Sequence, residues 1–376
     1  MNCILIFLLA ALSAQPADEW NVLTNQTSGW LGADGVYSAK NPADGSLYFW
    51  FSDTFCGTTQ DEGRKFKDIY MVNHSFWYKP AIGKLEVFIP EKGSNLFPDR
   101  YWIQDGIFLD GTLHLFAMRC GKNWKPERID LISLPIRDDG KPDFVHAVIK
   151  KDVPLQAHNE NGQIVFGGAV LDKPIDGYYY IYGYQDNARE RSRKDMVAAR
   201  VPVEKLCNIS AWRFWDGQDW GEDIKRCAPL ARGISCEFSV SPIPPDRVGS
   251  QVEVGNTETS SIEGKTSSFC PCDYAPGPEK GRFILVNTRH GISPLVEYRI
   301  GDSPIGPFTE PTTIYRAPEH KDGVSVYNGK GHPDLSTDEY LIISYNVNRL
   351  GRLPRNPMEY RPRFIRLRYE DLGNRQ

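Results

Sequence analysis

Helical periodicity is nearly missing from this chain. Few windows carry apolar residues at i, i+3, i+4 and i+7 without an intervening Gly or Pro, so a helical fold is not indicated. Basic clusters are also missing. The densest run, Arg189-Glu190-Arg191-Ser192-Arg193-Lys194, contains a Glu and reads as a solvated loop, and the formal net charge is −4. Nothing here suits a polyanion, so no nucleic-acid partner is expected. Apolar runs are confined to residues 4–12, too short to span a bilayer, and no later stretch suits a membrane helix. That run is followed by Ser13-Ala14-Gln15-Pro16 and reads as a secretory leader, residues 1–14, cleaved near Ala14. A secreted or periplasmic location follows as an expectation.

Metal-ligand patterns are absent too. Cys270-Pro271-Cys272 is too tightly spaced for a zinc site and has no His at a matching offset. No metal and no cofactor are expected. The eight cysteines, at 3, 56, 120, 207, 227, 236, 270 and 272, leave an odd seven after the leader. In an exported protein some should pair, and the near neighbours are Cys207 with Cys227, and Cys236 with Cys270 or Cys272. Sequons for N-glycosylation stand at Asn25, Asn73 and Asn208.

What the chain has is aromatic residues, at 12%, together with 33 Gly and 27 Pro, the profile of a β-rich protein with many turns. Strand-plus-turn units recur, anchored at Asp34, Asp105, Ala169, Glu237 and His332, with a period near 70 residues. The last interval is longer because a polar insertion occupies 241–269. Apolar residues on both faces of these strands suit stacked sheets. The fold class expected is all-β, a five-bladed β-propeller filling residues 18–372 as one domain. The Arg-rich tail after Asn348 is expected to close the ring.

The first unit holds the sharpest chemical signal. Asn41-Pro42-Ala43-Asp44-Gly45 is turn chemistry between two aromatic and β-branched strands. With the turn centred between Ala43 and Asp44, Asp34 and Asp53 become direct cross-strand partners. Such partners have Cβ atoms roughly 4.5–5.5 Å apart. Two carboxyls so close cannot both ionise easily, and an acid beside a base is what glycosidic cleavage requires.

Gly32-Ala33-Asp34-Gly35 through Phe51-Ser52-Asp53-Thr54-Phe55 resembles the first blade of a family of secreted five-bladed propellers that includes the endo-D-arabinanases. Trp102 to Gly106, Gly167-Gly168-Ala169, Asp302 to Phe308 and Tyr327 to Leu335 fit the same resemblance. It covers nearly the whole mature chain. It implies a glycoside hydrolase whose two catalytic aspartates carry over onto Asp34 and Asp53. Ser52 stands where the family usually has Gly, and Cys56 and Cys270-Pro271-Cys272 lie outside its pattern.

Around that pair, Asp105, Trp102, Asp186, Glu237, Arg289, His332 and Tyr345 are candidates for contacting substrate. Asp105 and Glu237 would add carboxyls, Trp102 and Tyr345 stacking surface, and Arg289 and His332 polar contacts. The substrate expected is a polysaccharide or oligosaccharide, an arabinan-like furanoside among the options, and the protein a monomer. A non-catalytic carbohydrate-binding propeller is the rival. A polysaccharide lyase using Tyr345, His332 and Arg289 is the third reading.

Overall fold

The computed structural model describes residues 14–121, 126–187, 190, 193–245 and 282–372. The leader expected at 1–14 therefore lies outside the described residues except for Ala14, as do Cys270-Pro271-Cys272 and most of the 241–269 insertion. Strands are the dominant regular structure of the described chain, and its α-helix Asp18–Asn21 is a single turn.

Sheet 1 holds Val36–Lys40, Leu47–Phe51, Ser75–Lys79 and Glu86–Phe88. Sheet 2 holds Tyr101–Leu109, Thr112–Cys120, Pro126–Pro135 and Val148–Val153. Sheet 3 is larger. Its path runs through Gln156–Asn159, Gly162–Val170, Tyr178–Asp186, Lys194–Pro202, Arg213–Trp215 and Trp220–Gly221, with Ala231–Ile234 also paired to Lys194–Pro202. Sheet 4 holds Phe238–Pro242, Phe283–Thr288, Leu295–Gly301 and Thr312–Arg316. Sheet 5 holds Ser325–His332, Tyr340–Asn348 and Arg363–Arg368, and the N-terminal Gln15–Pro16 adds its outer strand. A sixth, three-stranded sheet of Ser28–Ala33, Thr54–Gln60 and Lys65–Val72 grows out of the first. Pairing is antiparallel throughout, so hairpin turns suffice for most connections. The Arg-rich tail lies where expected, as the third strand of sheet 5, where it meets the N-terminal segment.

Strand alternation explains why Leu47–Phe51 is buried at every position. Successive side chains point to opposite faces. Tyr48 and Trp50 pack with Ile103, Leu113 and Leu115 of sheet 2, while Phe49 and Phe51 pack with Ile342 and Phe364 of sheet 5. The same division recurs. Leu115 faces sheet 1, and its neighbour Phe116 faces sheet 3. Leu285 packs toward sheet 3 and Val286 toward sheet 5. Each large side chain so buried contributes roughly 1.5–3 kcal/mol.

Sheets 1 to 5 also contact one another in order. Val36–Lys40 meets Tyr101–Leu109, which meets Gly162–Val170. That strand meets Phe238–Pro242, which meets Ser325–His332, and Tyr340–Asn348 returns to Val36–Lys40. These strands surround a common axis. Their starting residues, such as Asp34 and Glu237, mark one end. Their final residues, such as Lys40 and His332, mark the other.

Candidate active site

The hairpin register is the one the turn chemistry predicts. Val36 pairs with Phe51 and Lys40 with Leu47, and beyond the last pair the Asp34 N–H donates to the Asp53 carbonyl at 2.8 Å. Gly35 makes this junction possible. Its φ of +57° lies in the left-handed region, and an added Cβ would sit 3.2 Å from Ser52 Oγ and 3.5 Å from Glu237 Oε1. The bare backbone here leaves room for a carboxylate from sheet 4.

That carboxylate belongs to Glu237, at the start of the first strand of sheet 4. Asn328, at the matching place in sheet 5, donates from Nδ2 to Glu237 Oε1 at 2.9 Å and to Asp34 Oδ1 at 3.3 Å. The Lys330 ammonium forms an ion pair with Glu237 Oε2 and lies 3.4 Å from the centroid of the Tyr37 ring. Trp102 Nε1 donates to Asp53 Oδ2 at 3.4 Å. Asp34, Asp53, Glu237, Trp102 and Asn328 thus gather at the starting end of the strands, each keeping part of its surface open.

Electrostatics sets these carboxyls apart from ordinary surface acids. Asp34 is pushed up to about 7, first by burial, then by Glu237 and Asp53; the Tyr327 hydroxyl and the Gly35 N–H work against the shift. Burial pushes Asp53 up to about 6, opposed by Trp102, Asn73 and Arg100. Each keeps part of its surface open yet has protein on most sides, and loss of bulk water disfavours the charged form. Burial lowers the Lys330 ammonium, while Glu237 counters it.

Asp105 lies deeper. Its carboxylate accepts the Gly106 N–H at 2.9 Å and the Val170 N–H at 2.7 Å, which ties sheet 2 to sheet 3. Burial raises it to about 7. Asp105 also borders a cavity of about 250 Å³ at the far end of the strands, lined further by Lys40, Phe108, Asp172, His332 and Asp334.

The remaining candidates sit elsewhere. Asp186 is ion-paired to Lys194 and accepts the Gln163 N–H at 3.1 Å. Arg289 bonds Glu297 at 2.7 Å and Thr313 at 2.9 Å, and so lies away from the carboxyl pair as part of sheet 4. His332 is buried, with Nδ1 2.9 Å from Ser38 Oγ and Nε2 2.7 Å from Ser344 Oγ. Tyr345 is buried in the core between sheets 4 and 5, and its hydroxyl bonds Glu319 at 3.2 Å. The expected Cys207–Cys227 bridge is not formed. Both thiols are free, Cys227 within the core and Cys207 exposed 3.6 Å from His114 Nδ1. Cys236 is free as well.

Asn328, Lys330 and Tyr37 are the site residues that sequence reading misses. A signal existed. Asn328-Gly329 repeats the form of Asp34-Gly35 and Asp105-Gly106, an Asx-Gly step just before or within an inner strand. Among the described residues no three His, Cys, Asp or Glu side chains are grouped to hold a metal ion.

The chain belongs to the family described as Domain of unknown function (DUF5005), whose model matches residues 17–242 and 278–369. No curated protein matches it. Among solved structures it resembles a proposed hydrolase from Bacteroides ovatus, with 17% identity, 96% of this chain and 93% of that chain covered, and a TM-score of 0.65. An α-L-arabinofuranosidase from Lactobacillus brevis aligns at 10% identity over 90% of each chain with a TM-score of 0.45. A GH43_1 enzyme from Xanthomonas citri aligns at 14% identity over 94% and 89% with a TM-score of 0.43.

Proposed function

Taking membership of that family as the premise, we propose that this protein is an exported glycoside hydrolase on a five-bladed propeller, with Asp34 and Asp53 as its catalytic pair. Support for the blades comes from sheets 1 to 5, which contact one another in a closed order while the core divides along each strand. The observation that carries the function is the meeting of Asp34, Asp53 and Glu237 at one end of those strands, with Trp102 beside Asp53.

Two carboxyls with separated ionisation suit acid and base roles. Asp34 is raised by burial and by two neighbouring carboxyls, Glu237 and Asp53, whereas the rise of Asp53 is opposed by Trp102, Asn73 and Arg100. Asp34 is therefore assigned as proton donor to the leaving oxygen, and Asp53 as the ionised partner facing the anomeric carbon. If Asp53 attacks carbon directly, a covalent glycosyl-enzyme forms and configuration is retained. That route suits carboxyls about 5–5.5 Å apart, while inversion needs roughly 6.5–9.5 Å. Glu237, ion-paired with Lys330, lies beside Asp34 and helps raise it. The Trp102 indole offers an apolar face for a sugar ring. The substrate is a polysaccharide or oligosaccharide, an arabinan-like furanoside being one candidate on the sequence resemblance. Secretion as a monomer completes the proposal.

Asp34→Asn and Asp53→Asn should each lower cleavage of the preferred glycan at least about 10³-fold while the circular dichroism and melting curve stay those of a folded protein. The anomer first released, read by NMR, decides between retention and inversion. Glycan binding without product from a broad panel would favour the non-catalytic propeller. Turnover unchanged in both variants would remove the pair from the mechanism.

A further inference from the structure

Asn328 occupies a position prepared by the backbone. Its φ of +56° is left-handed, a conformation Asn tolerates better than most side chains. Gly329 follows, and an added Cβ there would stand 2.8 Å from Thr288 Oγ1. The Gly329 N–H donates to that same hydroxyl at 2.8 Å. Thr288 ends the second strand of sheet 4, so the Asn328 backbone is clamped against the neighbouring sheet and its side chain has little freedom of direction.

The amide reaches two acids from two different sheets, Asp34 of sheet 1 and Glu237 of sheet 4. A carboxamide NH2 carries two protons and can serve both acceptors at once. The opposite orientation would aim a carbonyl oxygen at two carboxyls, which is tolerated only if both are protonated. Glu237 Oε2 is already paired with the Lys330 ammonium, and Glu237 Oε1 and Asp34 Oδ1 both stand as acceptors around the amide, so the donating orientation is the one this environment selects. Besides Asn328, the groups facing Asp34 are Glu237, Asp53, Lys330 and the hydroxyls of Tyr327 and Tyr360. Lys330 is the one cation among these, and it is already spent on Glu237.

We infer that Asn328 is a positioning residue, its amide fixing Asp34 against Glu237 across the sheet 5 seam and favouring the ionised form of Asp34. The catalytic part of this inference rests on the glycosidase reading; the electrostatic part does not. Without the amide, Asp34 faces Glu237 directly, its side chain gains rotational freedom, and its proton is held more tightly.

Asn328→Gly is the informative variant, because Gly accepts the left-handed backbone and removes only the side chain. Asn328→Asp keeps the shape and replaces the donor with a third acid. The carboxyl titration of Asp34 is read by 13C NMR, and kcat and KM are read across pH on the cleaved glycan. In Asn328→Gly the Asp34 midpoint should rise by about one pH unit and kcat should fall about 10–100-fold with KM within about twofold, the loss expected for one hydrogen bond to a charged group. Asn328→Asp should raise the midpoint further and move the pH profile with it.

An Asp34 midpoint and a kcat both unchanged in folded Asn328→Gly overturn the inference. A shifted midpoint in a protein whose wild type cleaves no glycan overturns the glycosidase reading and leaves Asn328's hold on Asp34 established. An active wild type with an unmoved midpoint in the variant does the reverse.

Discussion

Lys330 and Glu237 form an ion pair at the heart of the ring, with 2% and 12% of their side-chain surfaces exposed. Lys330 arrives from sheet 5 and Glu237 from sheet 4, and Tyr37 of sheet 1 lies beneath the ammonium. Three sheets therefore share one buried charge pair. Pairs this dry add little net stability over an apolar replacement, but removing one partner strands the other. Lys330→Met should cost about 3–5 kcal/mol in urea unfolding, and the double variant with Glu237→Gln should recover much of it. A single-variant loss below about 1 kcal/mol would mean that water already reaches the pair.

The raised Asp34 carboxyl gives a second expectation, in pH dependence. The unfolded chain releases this proton near 3.8 and the folded chain near 7. Between those values the folded state binds the extra proton, so the stability Asp34 contributes falls as pH rises through that window. Asp34→Asn abolishes that dependence. Relative to wild type, the variant should gain about 1–3 kcal/mol between pH 4 and pH 8, after allowance for the partial opening of the site to solvent. Chemical denaturation at matched pH values measures it, and a constant difference across the window would refute the assignment.

His332 should behave in the opposite sense. Burial, with Lys330 nearby, lowers its ring to about 3, and both nitrogens are occupied by serine hydroxyls. A group depressed on folding contributes stability that is present above its unfolded value near 6.5 and lost as pH falls toward 3. Its NMR resonances should not titrate between about pH 5 and 8. His332→Gln should lower stability by about 1–3 kcal/mol through the broken serine contacts, with glycan cleavage at wild-type level. A ring that titrates near its ordinary value would show that water enters between sheets 5 and 1.

The hairpin was legible because its determinants are local. Turn residues fix the register of Val36–Lys40 on Leu47–Phe51, and register fixes the meeting of Asp34 with Asp53. The recurring strand units were legible because each repeats the same apolar pattern. Glu237 was reachable through that repetition, but its partner was not. Arg289 looked available for substrate from its place after an apolar strand, yet Glu297 on the paired strand of the same sheet takes it. Lys330 had no such cue, since a lysine inside a strand reads as surface until the closed order of sheets turns it inward. His332 and Tyr345 failed for a related reason. Sequence spacing placed them on strands, but only packing between whole sheets puts Tyr345 in the core between sheets 4 and 5 and His332 at the far-end cavity rather than beside Asp34.

Gly57 tests how far the sixth sheet is separable from the rest. Its φ is +137°, and a Cβ added there would fall 1.6 Å from the Asp68 carbonyl oxygen. No side chain can yield, because the obstacle is backbone of the paired strand Lys65–Val72. That strand is largely exposed and buries few apolar groups, so it can detach while the stacked sheets persist. Gly57→Ala should therefore cost more than about 1 kcal/mol, and hydrogen exchange should quicken at 65–72 while Val36–Lys40 and Leu47–Phe51 stay protected. Asp53 immediately precedes the strand that contains Gly57, so cleavage should fall as well, with Asp34 still in place. Gly221→Ala, where an added Cβ meets nothing within 4 Å, serves as the comparison and should leave both stability and exchange unchanged. Global unfolding in Gly57→Ala would show instead that the sixth sheet is part of the same cooperative unit as the ring.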